Sequence, residues 1–287
     1  MPVKIIKDVS EASLDVVLVP GLKIADKPEW TSAKSALFWP ERLLPQKAPK
    51  ARILAFEYDD DLTVDAFWNE RNGFHSTSDE LVDDLTEARS GDKAKRPIVF
   101  VAHCLGGVVL QSALLRANKN ESNKKLVEKV ASILLLGTPQ YTPDNLQTAK
   151  KFFQLVGKEI PSDSNLKTLS AHILKVSQEF AQLREANSIN VETFYENAPV
   201  EIHGKKLYIV DVSEAKLPGD SPDLKVLKGN HHEIARFEDE NKDFRTVSRS
   251  IARVIENLPK QDAKGVARTS LLPETILASR LDRITES

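Results

Sequence analysis

The stretch from Ile98 to Gln111, IVFVAHCLGGVVLQ, constrains the fold more than any other part of the chain. Its apolar run breaks into small residues and then resumes at helical spacing, which predicts a strand, a sharp turn and a helix. The turn has the form of the G-x-S-x-G nucleophile elbow, with Ala102 at the first glycine and Cys104 at the serine. Small residues are expected there because the helix turns back tightly and strains the nucleophile's backbone. The alternative is an ordinary tight turn in which Cys104 is a small buried filler.

Charge and cysteine content exclude several classes of function. The chain has 287 residues, with 40 basic and 42 acidic side chains and a formal net charge of -2. This balance offers no basic surface for nucleic acid or an anionic membrane, so neither is expected as a partner. One cysteine excludes an internal disulfide and a cysteine-based zinc site, and it fits a reducing compartment.

No targeting or membrane segment is evident in the sequence. The first 15 residues lack the apolar core of a signal peptide. No apolar run reaches the roughly 18 residues of a transmembrane helix. We therefore expect a cytoplasmic protein with no transmembrane segment, and we expect neither a metal nor a cofactor.

Apolar periodicity predicts an α/β fold. Short β-branched runs alternate with helical patterns, which indicates a mostly parallel sheet with helices on both faces. Ser78 is a candidate N-cap for a helix from Asp79 to Arg89, whose acidic residues form a solvated face. Besides the elbow strand, the expected strands are Asp15 to Val19, Arg52 to Tyr58, Ala131 to Leu136, Val191 to Glu196 and Lys206 to Asp211. Further helices are expected from Leu105 to about Ala117 and from Phe244 to Leu258.

The domain organisation follows from the same patterns. Residues 1–258 are expected to form one domain, in which residues 141–190 are a helical cap insertion broken near Pro161. Residues 259–287 form a tail with a short amphipathic helix from Pro273 to Ile284. The tail is a candidate contact for this chain, a second copy or another partner.

Five short motifs follow one another between about residues 15 and 258. They are Pro20-Gly21-Leu22, His103-Cys104-Leu105-Gly106-Gly107, Leu136-Gly137-Thr138-Pro139, Phe194-Tyr195-Glu196 and Asn230-His231. With them the chain resembles the α/β-hydrolase superfamily. More narrowly, it is similar to the lipase-like hydrolase domain of SERAC1-type proteins and of fungal NLR-like proteins with NACHT or ankyrin segments. That domain carries H-G-L, H-S-L-G-G, L-G-T-P, F-Y-E and N-H or D-H at these places, so Pro20, Ala102 and Cys104 are departures from it.

The resemblance implies a site of three side chains and two backbone donors. Cys104 would be the nucleophile, His231 the base and Glu196 the acid, in the order that the superfamily uses. The backbone N–H groups of Leu22 and Leu105 would bind the oxyanion. Because Cys104 begins a helix next to an expected histidine, we expect its pKa to be lowered.

Other residues compete for these roles. His232 is the alternative base, although His231 holds the motif position. Asp211, at the end of the next expected strand, is the alternative acid, and it is otherwise a turn-initiating aspartate. His103 is expected to pack or hydrogen-bond beside the elbow. Surface positions are expected for His75, His172 and His203.

Two functions remain open at this point. The first is a hydrolase or acyltransferase that acts on an ester, thioester or lactone of a small molecule through a thioester on Cys104. Because a thiolate is a good nucleophile and leaving group, a biosynthetic cyclase is included in this class. The second is a catalytically inactive hydrolase fold that serves as a recognition module, since fold alone does not imply function.

Overall fold

A seven-stranded sheet forms the centre of the protein in the computed structural model, which describes residues 3–22, 28–57, 74–140, 145–218 and 223–258. A separate ribbon contains two further strands. In chain order the strands are β1 Val3–Lys7, β2 Leu14–Val19, β3 Ala51–Phe56, β4 Ile98–His103, β5 Val130–Leu136, β6 Asn190–Glu196, β7 Val200–Ile202, β8 Lys205–Leu207 and β9 Asp223–Leu227. The ribbon is the antiparallel pair β7 and β8.

The central sheet is mostly parallel, as the sequence predicts. Its strand order is β1-β3-β2-β4-β5-β6-β9, and every neighbouring pair is parallel except β1 with β3. The carboxyl ends of β4, β5, β6 and β9 therefore lie at the same edge of the sheet. In open parallel sheets this is the edge where ligands bind.

Helices join the strands because parallel strands need long crossover connections. Among the described residues, the helices are α1 Trp39–Arg42, α2 Leu44–Lys47, α3 Phe74–Ala88, α4 Gly106–Lys119, α5 Lys124–Val127, α6 Asn145–Leu155, α7 Asp163–Ala186 and α8 Lys242–Asn257. Helix α4 packs against α3 and α7, and α7 also packs against α6. None of the helices in the described ranges is long and apolar enough to cross a bilayer.

Both faces of the sheet are covered, because every residue of β2, β3 and β4 is buried. Alternate residues such as Phe100 and Ile133 join the core that includes α4 and α7. On the opposite face, the Ser250 hydroxyl of α8 donates to Glu192 of β6 over 2.6 Å. Because both faces of these strands are buried, their sequences are mostly continuous apolar runs and do not alternate between apolar and polar residues.

The predicted N-cap at Ser78 is wrong. The chain is already helical at Phe74, so Ser78 lies in the second turn of α3. Its side chain is buried, and the hydroxyl donates to the carbonyl oxygen of Val109 in α4 over 3.4 Å. Serine is also found inside helices when its hydroxyl finds a carbonyl partner, and this contact between helices is not visible in the sequence.

The predicted strand from Lys206 to Asp211 is wrong over most of its length. Only Lys205–Leu207 is extended, and it pairs with Val200–Ile202 instead of joining the central sheet. The N–H groups of Ile209 and Val210 donate to the carboxylate of Glu196, over 2.5 and 2.9 Å. The carboxylate of Glu196 therefore binds two backbone N–H groups that would otherwise pair with a neighbouring strand.

Helices α6 and α7 occupy most of the segment predicted as a cap insertion. The N-cap of α7 is Ser162, whose side chain accepts from the N–H of Asn165. Helix α6 is tied to the loop after β8, because Glu214 accepts from Thr148 over 2.7 Å and from Lys151 over 2.8 Å. The predicted tail from residue 259 to 287 lies outside the described residues.

A buried ion cluster lies at the amino-terminal end of β2, at the opposite edge from the elbow. Both carboxylate oxygens of Asp15 accept from Arg52, over 2.8 and 2.9 Å, and Arg89 also donates to Oδ2. None of the three side chains is more than 2% exposed. Burial lowers the pKa of Arg89, although the charge of Asp15 opposes that shift.

Candidate active site

Cys104 stands at the turn between β4 and α4 with a φ of 54°. A non-glycine residue in this left-handed region stores strain, and such residues concentrate at functional sites. The N–H of Cys104 donates to the carbonyl oxygen of Leu136 at the end of β5 over 3.0 Å, which holds the turn against the sheet. The predicted strand, turn and helix are therefore all present.

Glycines around the turn allow backbone segments to approach closely. A Cβ on Gly106 would lie 2.0 Å from the carbonyl oxygen of Pro20, and one on Gly107 would lie 2.2 Å from Oγ1 of Thr138. A Cβ on Gly21 would lie 2.5 Å from Cβ of Cys104. Contacts this short leave no room for a side chain, so the glycines of two of the motifs serve one tightly packed turn.

His231 and Glu196 form a fully buried pair. Nδ1 of His231 lies 2.8 Å from Oε2 of Glu196, and both side chains are 0% exposed. The other carboxylate oxygen of Glu196 accepts from the N–H groups of Ile209 and Val210. With both oxygens occupied, the carboxylate is fixed in place and accepts a hydrogen bond from the N–H at Nδ1 of a neutral ring.

The second ring nitrogen of His231 is then the basic one. Nε2 is buried and makes no hydrogen bond to any described residue. It therefore makes none to the Cys104 sulfur. Burial lowers the pKa of His231, while the charge of Glu196 and its hydrogen bond act in the opposite direction. The ring is therefore a neutral acceptor at pH 7.

The elbow and the histidine meet at the end of β5. The N–H of Cys104 binds the carbonyl oxygen of Leu136, and a Cβ on the next residue, Gly137, would lie 3.1 Å from the ring of His231. The structure thus brings a thiol, a neutral imidazole and a carboxylate to one edge of the sheet.

The expected lowering of the Cys104 pKa is wrong. Burial raises the pKa of the thiol to about 12, since the side chain is only 1% exposed. The charges of Glu29 and Glu196 raise it further. Desolvation therefore outweighs the helix terminus, and Cys104 is a neutral thiol at pH 7.

The two backbone donors expected for an oxyanion act on the sulfur of Cys104. The N–H groups of Leu105 and Leu22 both lower the pKa of Cys104 by hydrogen bonding, although burial outweighs them. Pro20 lacks an N–H, and the backbone group of this motif that acts on the sulfur belongs to Leu22, two residues later.

The two competing residues make other contacts. Oδ1 of Asp211 accepts from the N–H and hydroxyl of Ser213, over 2.8 and 2.6 Å, which makes Asp211 the start of a turn. The backbone N–H of His232 donates to Asn230 over 3.1 Å. Burial and the nearby His231 lower the pKa of His232 to about 4.

Sequence reasoning missed Glu29. Its Oε1 lies 2.5 Å from Nδ1 of His103, the residue before the nucleophile. Nε2 of His103 lies 2.8 Å from the backbone carbonyl oxygen of His231. A single acid in the loop before Trp30 carries no pattern that predicts this contact. Within the described ranges, no cluster of three or more His, Cys, Asp or Glu side chains is arranged to hold a metal.

Comparison with known proteins finds similar sequences and, among solved structures, a similar fold. No family model matches the chain. Protein SERAC1 of Mus musculus is 26% identical over 249 residues, covering 83% of this chain and 35% of the relative. Protein SERAC1 of Bos taurus is 27% identical over 206 residues, covering 68% and 30% respectively. The chain thus spans about a third of the length of these curated relatives.

Among solved structures, the lipase BlEst2 of Bacillus licheniformis in its mature form is similar, with a TM-score of 0.50 and 16% identity. The match covers 87% of this chain and 97% of the lipase. At this identity the likeness establishes the fold alone. Together with the mostly parallel sheet it shows an α/β-hydrolase fold, and in sequence the chain is similar to SERAC1 proteins.

Proposed function

We propose that the protein is a hydrolase or acyltransferase that acts on an ester, thioester or lactone of a small molecule through Cys104, His231 and Glu196. The observation that carries this proposal is the buried contact of 2.8 Å between His231 and Glu196, beside the strained turn that bears Cys104. A base held by an acid and placed next to a nucleophile at an elbow is the arrangement that acyl transfer needs.

In the first half-reaction, Nε2 of His231 takes the proton of the thiol as Sγ of Cys104 bonds to the acyl carbon. The N–H groups of Leu22 and Leu105 stabilise the negative carbonyl oxygen, and Glu196 stabilises the imidazolium. The bond to the leaving group then breaks, and the leaving group takes the proton from Nε2. A thioester on Cys104 remains.

In the second half-reaction, His231 takes a proton from the incoming nucleophile as that nucleophile bonds to the thioester carbon. Collapse releases the sulfur, which recovers its proton from His231. Water as the nucleophile gives hydrolysis, and an alcohol or amine gives acyl transfer. A nucleophile within the same acyl chain gives a cyclised product, as in a biosynthetic cyclase.

This site supports general-base catalysis rather than a preformed ion pair. Burial raises the pKa of Cys104 to about 12 and lowers that of His231, so both groups are neutral at pH 7. Attack therefore requires transfer of the thiol proton in the transition state, as in hydrolases with a serine nucleophile.

Helices α6 and α7 are proposed to cap the substrate site. The ring of Phe152 in α6 is fully buried and lies 6.1 Å from the ring of His231, measured between centroids. An aromatic wall next to the base favours an acyl group with an apolar portion. The links from Glu214 to Thr148 and Lys151 hold α6 over this edge.

A second candidate function is recognition without catalysis. The burial of Cys104 and its raised pKa favour this alternative, because reactive cysteines are usually more accessible and more readily ionised. A decayed serine hydrolase that kept its fold would show the same features.

One pair of substitutions separates the two functions, measured as turnover of a short p-nitrophenyl ester. If Cys104 is the nucleophile, Cys104→Ala abolishes turnover, and Cys104→Ser lowers it about tenfold or more because a hydroxyl loses its proton less readily than a thiol. If Cys104 is a decayed serine, Cys104→Ser raises turnover instead. Equal melting temperatures would show that the variants are folded.

A further inference from the structure

We propose that His103 and Glu29 form a second acid–histidine pair that positions the base. In this pair His103 is a positioning residue: it donates from Nε2 to the backbone carbonyl oxygen of His231 and so ties the loop of the base to the residue before the nucleophile. The contact measures 2.8 Å, and His103 is only 2% exposed. The two imidazole rings lie 4.9 Å apart between centroids.

The partners of His103 define where its protons are. A carbonyl oxygen only accepts hydrogen bonds, so Nε2 of His103 must carry a hydrogen. Nδ1 lies 2.5 Å from Oε1 of Glu29, an acid–histidine contact in which neither atom makes a hydrogen bond of regular geometry to a described residue. The carboxylate of Glu29 therefore faces Nδ1 of the ring, and Nε2 is the nitrogen that donates to His231.

The surroundings hold Glu29 and His103 together. Trp30, which follows Glu29, is 3% exposed and has a φ of 64°. Its ring meets the His103 ring edge-on, with 6.3 Å between centroids, and it also packs against Trp39. The pKa of Glu29 is lowered because the charges of His103, Arg236 and His231 outweigh the effect of burial.

This inference rests on the proposed function for its kinetic consequence. His103 precedes Cys104 in the chain, and His231 bears the base, so the contact links the backbones of the two reacting groups. A displacement of about 1 Å at such a site can cost on the order of a hundredfold in rate. Loss of the pair should therefore lower kcat and leave KM nearly unchanged.

The test uses Glu29→Gln, which keeps the shape of the side chain and removes its charge, and His103→Asn, which removes the imidazole. His203→Asn is the control, because His203 is an exposed histidine with a φ of 49°, a conformation that asparagine tolerates. We expect kcat on the p-nitrophenyl ester to fall about tenfold to a hundredfold in the first two variants. The control should match the parent, and melting temperatures would verify folding.

NMR spectra of protein with ¹⁵N-labelled histidine provide a readout that does not depend on turnover. In the parent, Nε2 of His103 should be protonated, and Glu29→Gln should move the ring signals of His231. Unprotonated Nε2 of His103, or His231 signals that Glu29→Gln leaves unchanged, would overturn the pair. If the parent turns over no acyl substrate, the proposed function fails while these spectra still decide the role of the pair.

Discussion

Nδ1 of His231 lies 2.8 Å from Oε2 of Glu196, and the carboxylate is held from its other oxygen by two backbone N–H groups. Glu196, the acid of the proposed triad, thus has two roles. It orients the base, and it orders the loop that contains Ile209 and Val210. Any change at Glu196 should affect both the chemistry and the local structure.

Glu196→Gln should lower turnover by about 10³- to 10⁴-fold, the size of effect found when an orienting carboxylate of a triad is replaced by an amide. The amide no longer stabilises the imidazolium and disturbs the tautomer of His231. The matched control is Asp211→Asn at the competing acid, because asparagine keeps the oxygen that accepts from Ser213. Ester hydrolysis that survives Glu196→Gln but not Asp211→Asn would reverse the assignment.

The rate should depend on pH through His231. Its pKa is lowered, so kcat/KM should be lost as pH falls through a midpoint below the ordinary value of 6.5 and should be level above it. Glu196 and Glu29 raise this pKa and His103 lowers it, so Glu29→Gln should move the midpoint to lower pH. A midpoint above 6.5 in the parent would contradict a buried neutral base.

Iodoacetamide should alkylate native Cys104 very slowly at pH 7. The pKa of about 12 leaves almost no thiolate, and the buried side chain is shielded from the reagent. Unfolding in guanidinium chloride should restore the rate of an ordinary cysteine. Rapid alkylation of the folded protein at pH 7, followed by mass spectrometry, would show that the thiol is accessible and ionised.

The ion cluster around Asp15 should matter for stability and not for chemistry. Asp15→Asn leaves Arg52 and Arg89 without their shared carboxylate, and breaking a buried pair costs about 3–5 kcal/mol of unfolding free energy. Asp92→Asn is the control, since Asp92 pairs with Lys95 in solvent and should leave stability unchanged. Chemical denaturation would measure both, and similar losses in the two variants would contradict the role of burial.

The parts of the fold that depend on local pattern could be predicted from the sequence. The elbow, the buried parallel strands and helices α3, α4 and α8 follow from apolar periodicity and small residues. Strand β1 is not predicted, because Val3–Lys7 lies at an edge and three of its five residues are exposed. A half-exposed edge strand of mixed composition has no periodic signal strong enough to identify it.

The parts of the site that depend on contacts across the fold could not be predicted. The order of residues in the chain leaves both Glu196 and Asp211 as candidate acids. In the structure the N–H groups of Ile209 and Val210 donate to Glu196, so the segment before Asp211 does not form the predicted strand. The position of Cys104 in the sequence suggested a lowered pKa, whereas its burial raises it. Glu29 reaches His103 from 74 residues away in the chain, and no local pattern encodes that contact.

Direct capture of the acyl-enzyme tests the central claim. The protein is mixed with p-nitrophenyl acetate and quenched in acid on the timescale of one turnover, and its intact mass is then measured. We expect one added acetyl group that peptide mapping places on Cys104, absent from Cys104→Ala and reduced in Glu196→Gln. Hydrolysis that continues in Cys104→Ala, or an acetyl group on any other residue during turnover, would contradict it.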